Sequence, residues 1–109
     1  MLEIYAVIRG VLRELRPVVD AVERRDPDLG KQMRRAGSSI LLNVGEGAYS
    51  QGRNQAARYH TAMGSASETL ACLHVAIDFG YVEAADPGML DQLDRIIATL
   101  RKLVRAPRR

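Results

Sequence analysis

Apolar side chains recur at spacings of three and four along nearly the whole chain, the period of an amphipathic helix rather than of a strand. Ile4, Ile8, Val11, Leu15, Val18 and Val22 form one stripe, and Leu29, Met33, Ala36, Ile40 and Val44 a second. Met63, Ala66, Leu70, Leu73 and Ile77 form a third, in a helix predicted from Asn54 to Phe79. Leu90, Leu93, Ile97, Leu100 and Val104 form the last. The chain carries no strand pattern, internal repeat or low-complexity segment.

Breaker residues separate these stripes. Asp26-Pro27-Asp28 predicts an N-cap followed by proline at the first helical position. Gly45 and Gly47 loosen the end of the second helix, and Tyr49 to Asn54 makes the next connection. Gly80 is placed to cap the third helix, Asp86-Pro87-Gly88 to open the fourth, and Pro107 to end it. Pro17 falls inside the first stripe, where it removes a backbone donor, and is expected to kink or split that helix. Four helices on short links predict an all-α fold, an up-down-up-down antiparallel four-helix bundle, with residues 1–109 as one domain.

Two features modify that picture. The first helix carries Leu2, Val7, Leu12 and Val19 outside its main stripe. Such a surplus predicts burial against another copy, although scattered surface apolar residues are common. The third helix is rich in Ala56, Ala57, Ala62, Gly64, Ser65, Ala66, Ala71 and Ala76, small residues that let helix axes approach closely.

A composition of 47% hydrophobic and 27% charged residues fits a soluble domain. No apolar run approaches the roughly 20 residues of a membrane span, so no membrane partner is expected. The start, Met1-Leu2-Glu3-Ile4-Tyr5, lacks the basic region of a secretory signal. The single cysteine, Cys72, has no intramolecular disulfide partner and sits among helical neighbours as a buried thiol, so a reducing, cytoplasmic location is expected.

The net charge of +3 is small, and its distribution says more. Arg9, Arg13 and Arg16 recur at helical spacing, Lys31, Arg34 and Arg35 form a second cluster, and Arg101, Lys102, Arg105, Arg108 and Arg109 lie in an end free of acidic residues. These clusters are either a solvated surface or a phosphate-binding one. Catalytic chemistry has no strong signal. Neither His60 nor His74 follows a glutamate by three, as a di-iron bundle requires, and the two are too far apart for one metal. Phosphate-binding loops, nucleophile elbows and dinucleotide fingerprints are absent. No enzyme, cofactor or metal is therefore expected.

Two polar islands interrupt the inner stripes. The first runs Gln32-Met33-Arg34-Arg35-Ala36, then Ser39-Ile40, then Asn43-Val44-Gly45-Glu46-Gly47. The second is Ala62-Met63-Gly64-Ser65-Ala66-Ser67-Glu68. Asn43 and Glu46 share a helix face one turn apart, and polar groups set into an apolar stripe need partners. Asn43 and Glu46 are expected to hydrogen-bond across to the third helix. Gly64 is expected to permit close approach there. Glu46 and Glu68 could face each other in the core, but two carboxylates without histidines make a poor metal site, and a structural polar network with Asn43, Ser65 or Ser67 is the favoured reading.

The first island resembles the signature of the small four-helix-bundle family of 23S rRNA intervening-sequence proteins, approximately QLRRAAxSIxxNIAEG. The second is similar to that family's A-x-GSxxE segment, with Tyr59 where an aromatic often precedes it. The similarity runs from the first helix to about Val82, and Gly45 stands where the family usually has alanine. Ser39, Asn43, Glu46, Gly47, Gly64, Ser65 and Glu68 are the residues assigned an architectural role. The resemblance implies a homo-oligomer, commonly a pentameric barrel with a basic surface, and no enzymatic activity. One branch is encoded within insertions in 23S ribosomal RNA genes. A related branch, the accessory variability determinant of diversity-generating retroelements, binds a reverse transcriptase and nucleic acid.

Two functions stay open at this point. One is a non-enzymatic adaptor that binds RNA or DNA through Arg9, Arg13, Arg16, Lys31, Arg34, Arg35, Arg101, Lys102 and Arg105, without base-specific readout because aromatics are scarce. The other is a protein-interaction module whose basic face docks a partner and binds nucleic acid only weakly.

Overall fold

The computed structural model describes residues 2–83 and 86–106. Pro107, expected to end the last helix, and Arg108 and Arg109 lie outside the described residues, so the fourth helix is followed only to its own last turn. Four helices fill the chain: α1 (Glu3–Arg25), α2 (Pro27–Ala48), α3 (Gly52–Asp78) and α4 (Pro87–Arg105). There is no strand among the described residues.

The helix ends follow local chemistry. Asp26 closes α1 and caps α2, its Oδ1 accepting from the Leu29 N–H at 3.1 Å, with Pro27 at the first helical position. Asp86 does the same for α4, accepting from the Gly88 N–H at 3.0 Å. Gly80 adopts a φ of +73°, and the N–H groups of Gly80 and Tyr81 return to the carbonyls of Ile77 and Ala76, which satisfies the orphan acceptors of α3. Pro17 does not split α1, which is helical from Glu3 to Arg25. Pro17 is exposed, so water can reach the acceptor its missing N–H leaves open.

Register contacts give the directions. Glu23 lies against Gly30, Asp20 bonds Arg34, and Tyr5 faces Gly45, so numbers fall along α1 as they rise along α2. Tyr59 against Gly47 and Ser65 bonded to Ser39 show the same antiparallel relation between α2 and α3. α4 packs on α3 and α1, closing a ring of helix pairs. The molecule measures 47 × 24 × 19 Å, and α3, with 27 residues, runs most of its length.

The core lies along the common axis. The α2 stripe is buried throughout: Leu29, Met33, Ala36, Ile40 and Val44. In α1, Val19 rather than Val18 is buried, because Val19 turns toward α2 and lines a slit with Met33. In α3 the buried set is Tyr59, Ala62, Ala66, Thr69, Cys72, Leu73 and Ala76, whereas Met63, Leu70 and Ile77 are half-buried. The third helix is apolar on several sides, and its small residues take the positions of closest packing. The Thr69 hydroxyl donates to the Ser65 carbonyl at 2.8 Å, so this buried polar group is satisfied within its own helix. In α4, Met89 and Ile96 join the expected Leu93 and Leu100, while Leu90, Ile97 and Val104 are half-buried.

Candidate nucleic-acid interface

The outer side of α2 is polar and basic where its inner side is apolar. Lys31, Arg35, Ser38 and Leu42 recur at spacings of four, three and four and are all exposed. With Arg34, Ser39, Asn43, Glu46 and Arg58 they line a groove of about 640 Å³ between α2 and the start of α3. A hydrogen-bonded chain crosses it. The Ser65 hydroxyl donates to Ser39 Oγ at 2.8 Å. Asn43 Nδ2 donates to the same oxygen at 3.0 Å and to the Ser39 carbonyl at 2.9 Å. Arg58 Nη1 donates to Asn43 Oδ1 at 3.4 Å and pairs with Glu46 Oε2 at 3.0 Å.

The remaining cations are spread around the bundle. Arg34 turns toward α1 and pairs with Asp20 at 3.1 Å and Glu23 at 3.3 Å. The hydrogen bonds it donates to Asp20 and then Glu23 raise its pKa further, so its charge is permanent but already partnered. Arg16 lies beside it on the α1–α2 slit, a cavity of about 210 Å³ floored by Gly37. Arg9 and Arg13 are exposed on the first half of α1, and Arg101, Lys102 and Arg105 on the last turns of α4. Antiparallel packing brings these two groups to one end of the bundle, with Arg53 and Arg58 of α3. At the opposite end lie Asp26, Asp28, Asp78 and Asp86, interleaved with Arg24, Arg25 and Lys31. Basic residues in the last turn of α4 also complement its helix dipole.

A family model for 23S rRNA-intervening sequence proteins matches residues 3–104. The chain belongs to this family. All four helices, save the final residue of α4, fall within the matched family region. A solved structure from Bacteroides thetaiotaomicron, a protein of unknown function from the S23 ribosomal protein family, superposes with a TM-score of 0.77. It is 18% identical, with 94% of this chain and 99% of that chain covered, which shows a shared fold. No curated protein matches the chain.

The family islands divide differently from expectation. Ser39, Asn43 and Ser65 meet at the α2–α3 seam, half-buried. Glu46 is not toward the core: it is exposed and held by Arg58. Val44 and Gly47 take the inward positions, and the residue before each is rotated by about 100°. Glu68 is likewise exposed, ten residues along α3 from the arginine that holds Glu46, so the two carboxylates do not face each other. The close approach belongs to Gly47, where an added Cβ would sit 2.5 Å from Tyr59 Cε1. Gly64 has nothing within 4 Å, because buried Ala62 and Ala66 set it on the opposite side of α3.

Two groove residues went unnoticed in the sequence. Arg58 precedes the buried Tyr59, and only the α2–α3 register places it against Glu46. Leu42 reads as part of an apolar run yet is 65% exposed. Elsewhere, His60 and His74 are exposed, and burial, with Glu68 adding, pushes the Cys72 thiol above its ordinary pKa. Among the described residues no three histidine, cysteine or acidic side chains are placed to hold a metal ion. No helix among them is long and apolar enough to cross a membrane.

Proposed function

We propose that the protein is a non-enzymatic module that binds RNA or DNA through phosphate contacts, acting as a homo-oligomer. The observation that carries this is the set of exposed cations without acidic partners, one group of which, from α1, α3 and α4, shares an end of the bundle while Lys31 and Arg35 continue along α2. Among the described residues, acidic partners engage only Arg34 and Arg58, leaving Arg9, Arg13, Arg101, Lys102 and Arg105 free of ion pairs. Free cations on a rigid helical frame attract phosphates without a dedicated motif. The family name, which ties its members to 23S rRNA, supports a nucleic-acid setting. Assembly into a ring, pentameric on the resemblance, would multiply a subunit charge of +3. In the retroelement branch a reverse transcriptase would be the protein that shares the nucleic acid.

The test is binding of the purified protein to structured RNA and to duplex DNA across a salt series. Affinity is expected to fall steeply with salt, the logarithmic slope being roughly 0.9 per phosphate neutralised on duplex DNA. Arg101→Glu combined with Lys102→Glu should weaken binding to both and flatten that slope. Absence of binding at low salt would overturn the proposal in favour of a protein partner.

A further inference from the structure

We infer that the α2–α3 groove is a subsite for a single-stranded segment of nucleic acid, with an unpaired base lodged between Leu42 and the guanidinium of Arg58. This rests on the nucleic-acid reading above and adds to it a specific place and strand form. The groove holds about 640 Å³, within the range of sites that take small ligands.

Its walls differ in chemistry. Lys31 and Arg35 are exposed and, among the described residues, without an acidic partner. They lie along α2 on the side away from the start of α3. Glu46 lies at the other end of the groove, its charge paired with Arg58, so the unpaired charges that attract phosphate are Lys31 and Arg35, and a bound strand would set its backbone there and its bases toward Arg58. Leu42, 65% exposed on the groove wall, offers one apolar surface.

Arg58 offers the other. The Nη1 nitrogen of Arg58 reaches both Glu46 at 3.0 Å and Asn43 at 3.4 Å, which aims the guanidinium along the groove wall. Asn43 is itself fixed by Ser39, and Ser39 by Ser65. A guanidinium contacted at one terminal nitrogen keeps its planar faces available, and unpaired bases stack on such planes. Stacking of this kind tolerates any base, so the subsite selects single strands without selecting sequence. The hydrogen-bonded chain of Ser65, Ser39 and Asn43 thereby acquires a use beyond joining two helices: it positions Arg58.

The experiment measures dissociation constants at one salt concentration for oligouridylate, for an abasic oligomer of equal phosphate number, and for a duplex. The intact chain is compared with Leu42→Ala and Arg58→Lys, each first checked for an unchanged melting temperature. Leu42→Ala truncates a side chain that is mostly in water, and Arg58→Lys keeps the charge opposite Glu46, so both are expected to fold. The expected result is a loss of oligouridylate affinity of roughly fivefold to tenfold in each variant, the size of one lost stack. Duplex and abasic affinities should stay within about twofold. Equal losses on all three probes, or no loss on any, would overturn the subsite while leaving the phosphate reading standing. Failure of the intact chain to bind any probe would overturn both.

Discussion

The two faces of α2 carry the same helix under opposite rules. Its inner face, Met33, Ile40 and Val44, is fully buried and interchangeable in kind with any well-packed core. Its outer face holds Lys31, Arg35, Leu42 and Glu46 in water, on the wall of a groove shared with α3. Between them runs a narrow seam of Ser39 and Asn43, bonded to each other and across to α3. The difference teaches that the polar residues of the family signature need not report a polar core. They mark the line where a packed face gives way to an exposed one, and they hold the side chains at that border in place.

The comparison can be broken most forcefully from the inside. Ile40→Ala removes a side chain with no exposure and should cost about 2–5 kcal/mol in a denaturant titration. A loss below about 1 kcal/mol would mean that the inner face is loosely packed. Gly47→Ala should follow, at about 1–3 kcal/mol, because the new methyl would press into the ring of Tyr59. Its foil is Gly64→Ala, where the methyl meets open space and alanine is the better helix former. There the melting temperature should hold or rise, by up to about 1 kcal/mol of added stability. Destabilisation at Gly64 would show that a second chain packs on that side of α3. Smallest is Glu46→Gln: an exposed pair with Arg58 contributes little, so stability should change by less than about 0.5 kcal/mol.

Much of the fold was legible before any coordinates because it depends on near neighbours in the chain. The Asp-Pro openings of α2 and α4 and the Gly80 cap each involve residues within one turn, and all three form as read. The α2 stripe was legible because that helix is apolar along one well-separated face. In α3 the same periodic logic found Ala66 and Leu73 but also chose Met63, Leu70 and Ile77, whereas burial goes instead to Tyr59, Ala62, Thr69, Cys72 and Ala76. Size and distance to α2 decide there, and neither is a property of one helix alone.

The candidate site was half legible for the same reason. Clusters of arginine and lysine announce themselves by composition, and the exposed positions of Arg9, Arg13, Arg35, Arg101 and Lys102 agree with a surface role. Their pairing does not announce itself. Arg34 is drawn to Asp20 and Glu23 on α1, and Arg58 to Glu46 on α2, through contacts between residues eleven to fourteen apart. Asn43 and Glu46 do bond across to α3, through Arg58, but one residue of rotation, near 100°, sets them on the seam and the outer face rather than on the inner stripe with Val44 and Gly47.

The most direct test of a cationic end that contacts nucleic acid is a chemical-shift titration of the isotope-labelled protein with a short RNA hairpin bearing a single-stranded tail. Shifts are predicted at Arg58, Arg101, Lys102 and along the outer face of α2, with Asp78, Asp86 and the buried Ile40 unmoved. Shifts centred on Asp78 and Asp86, or none at low salt, would contradict the account.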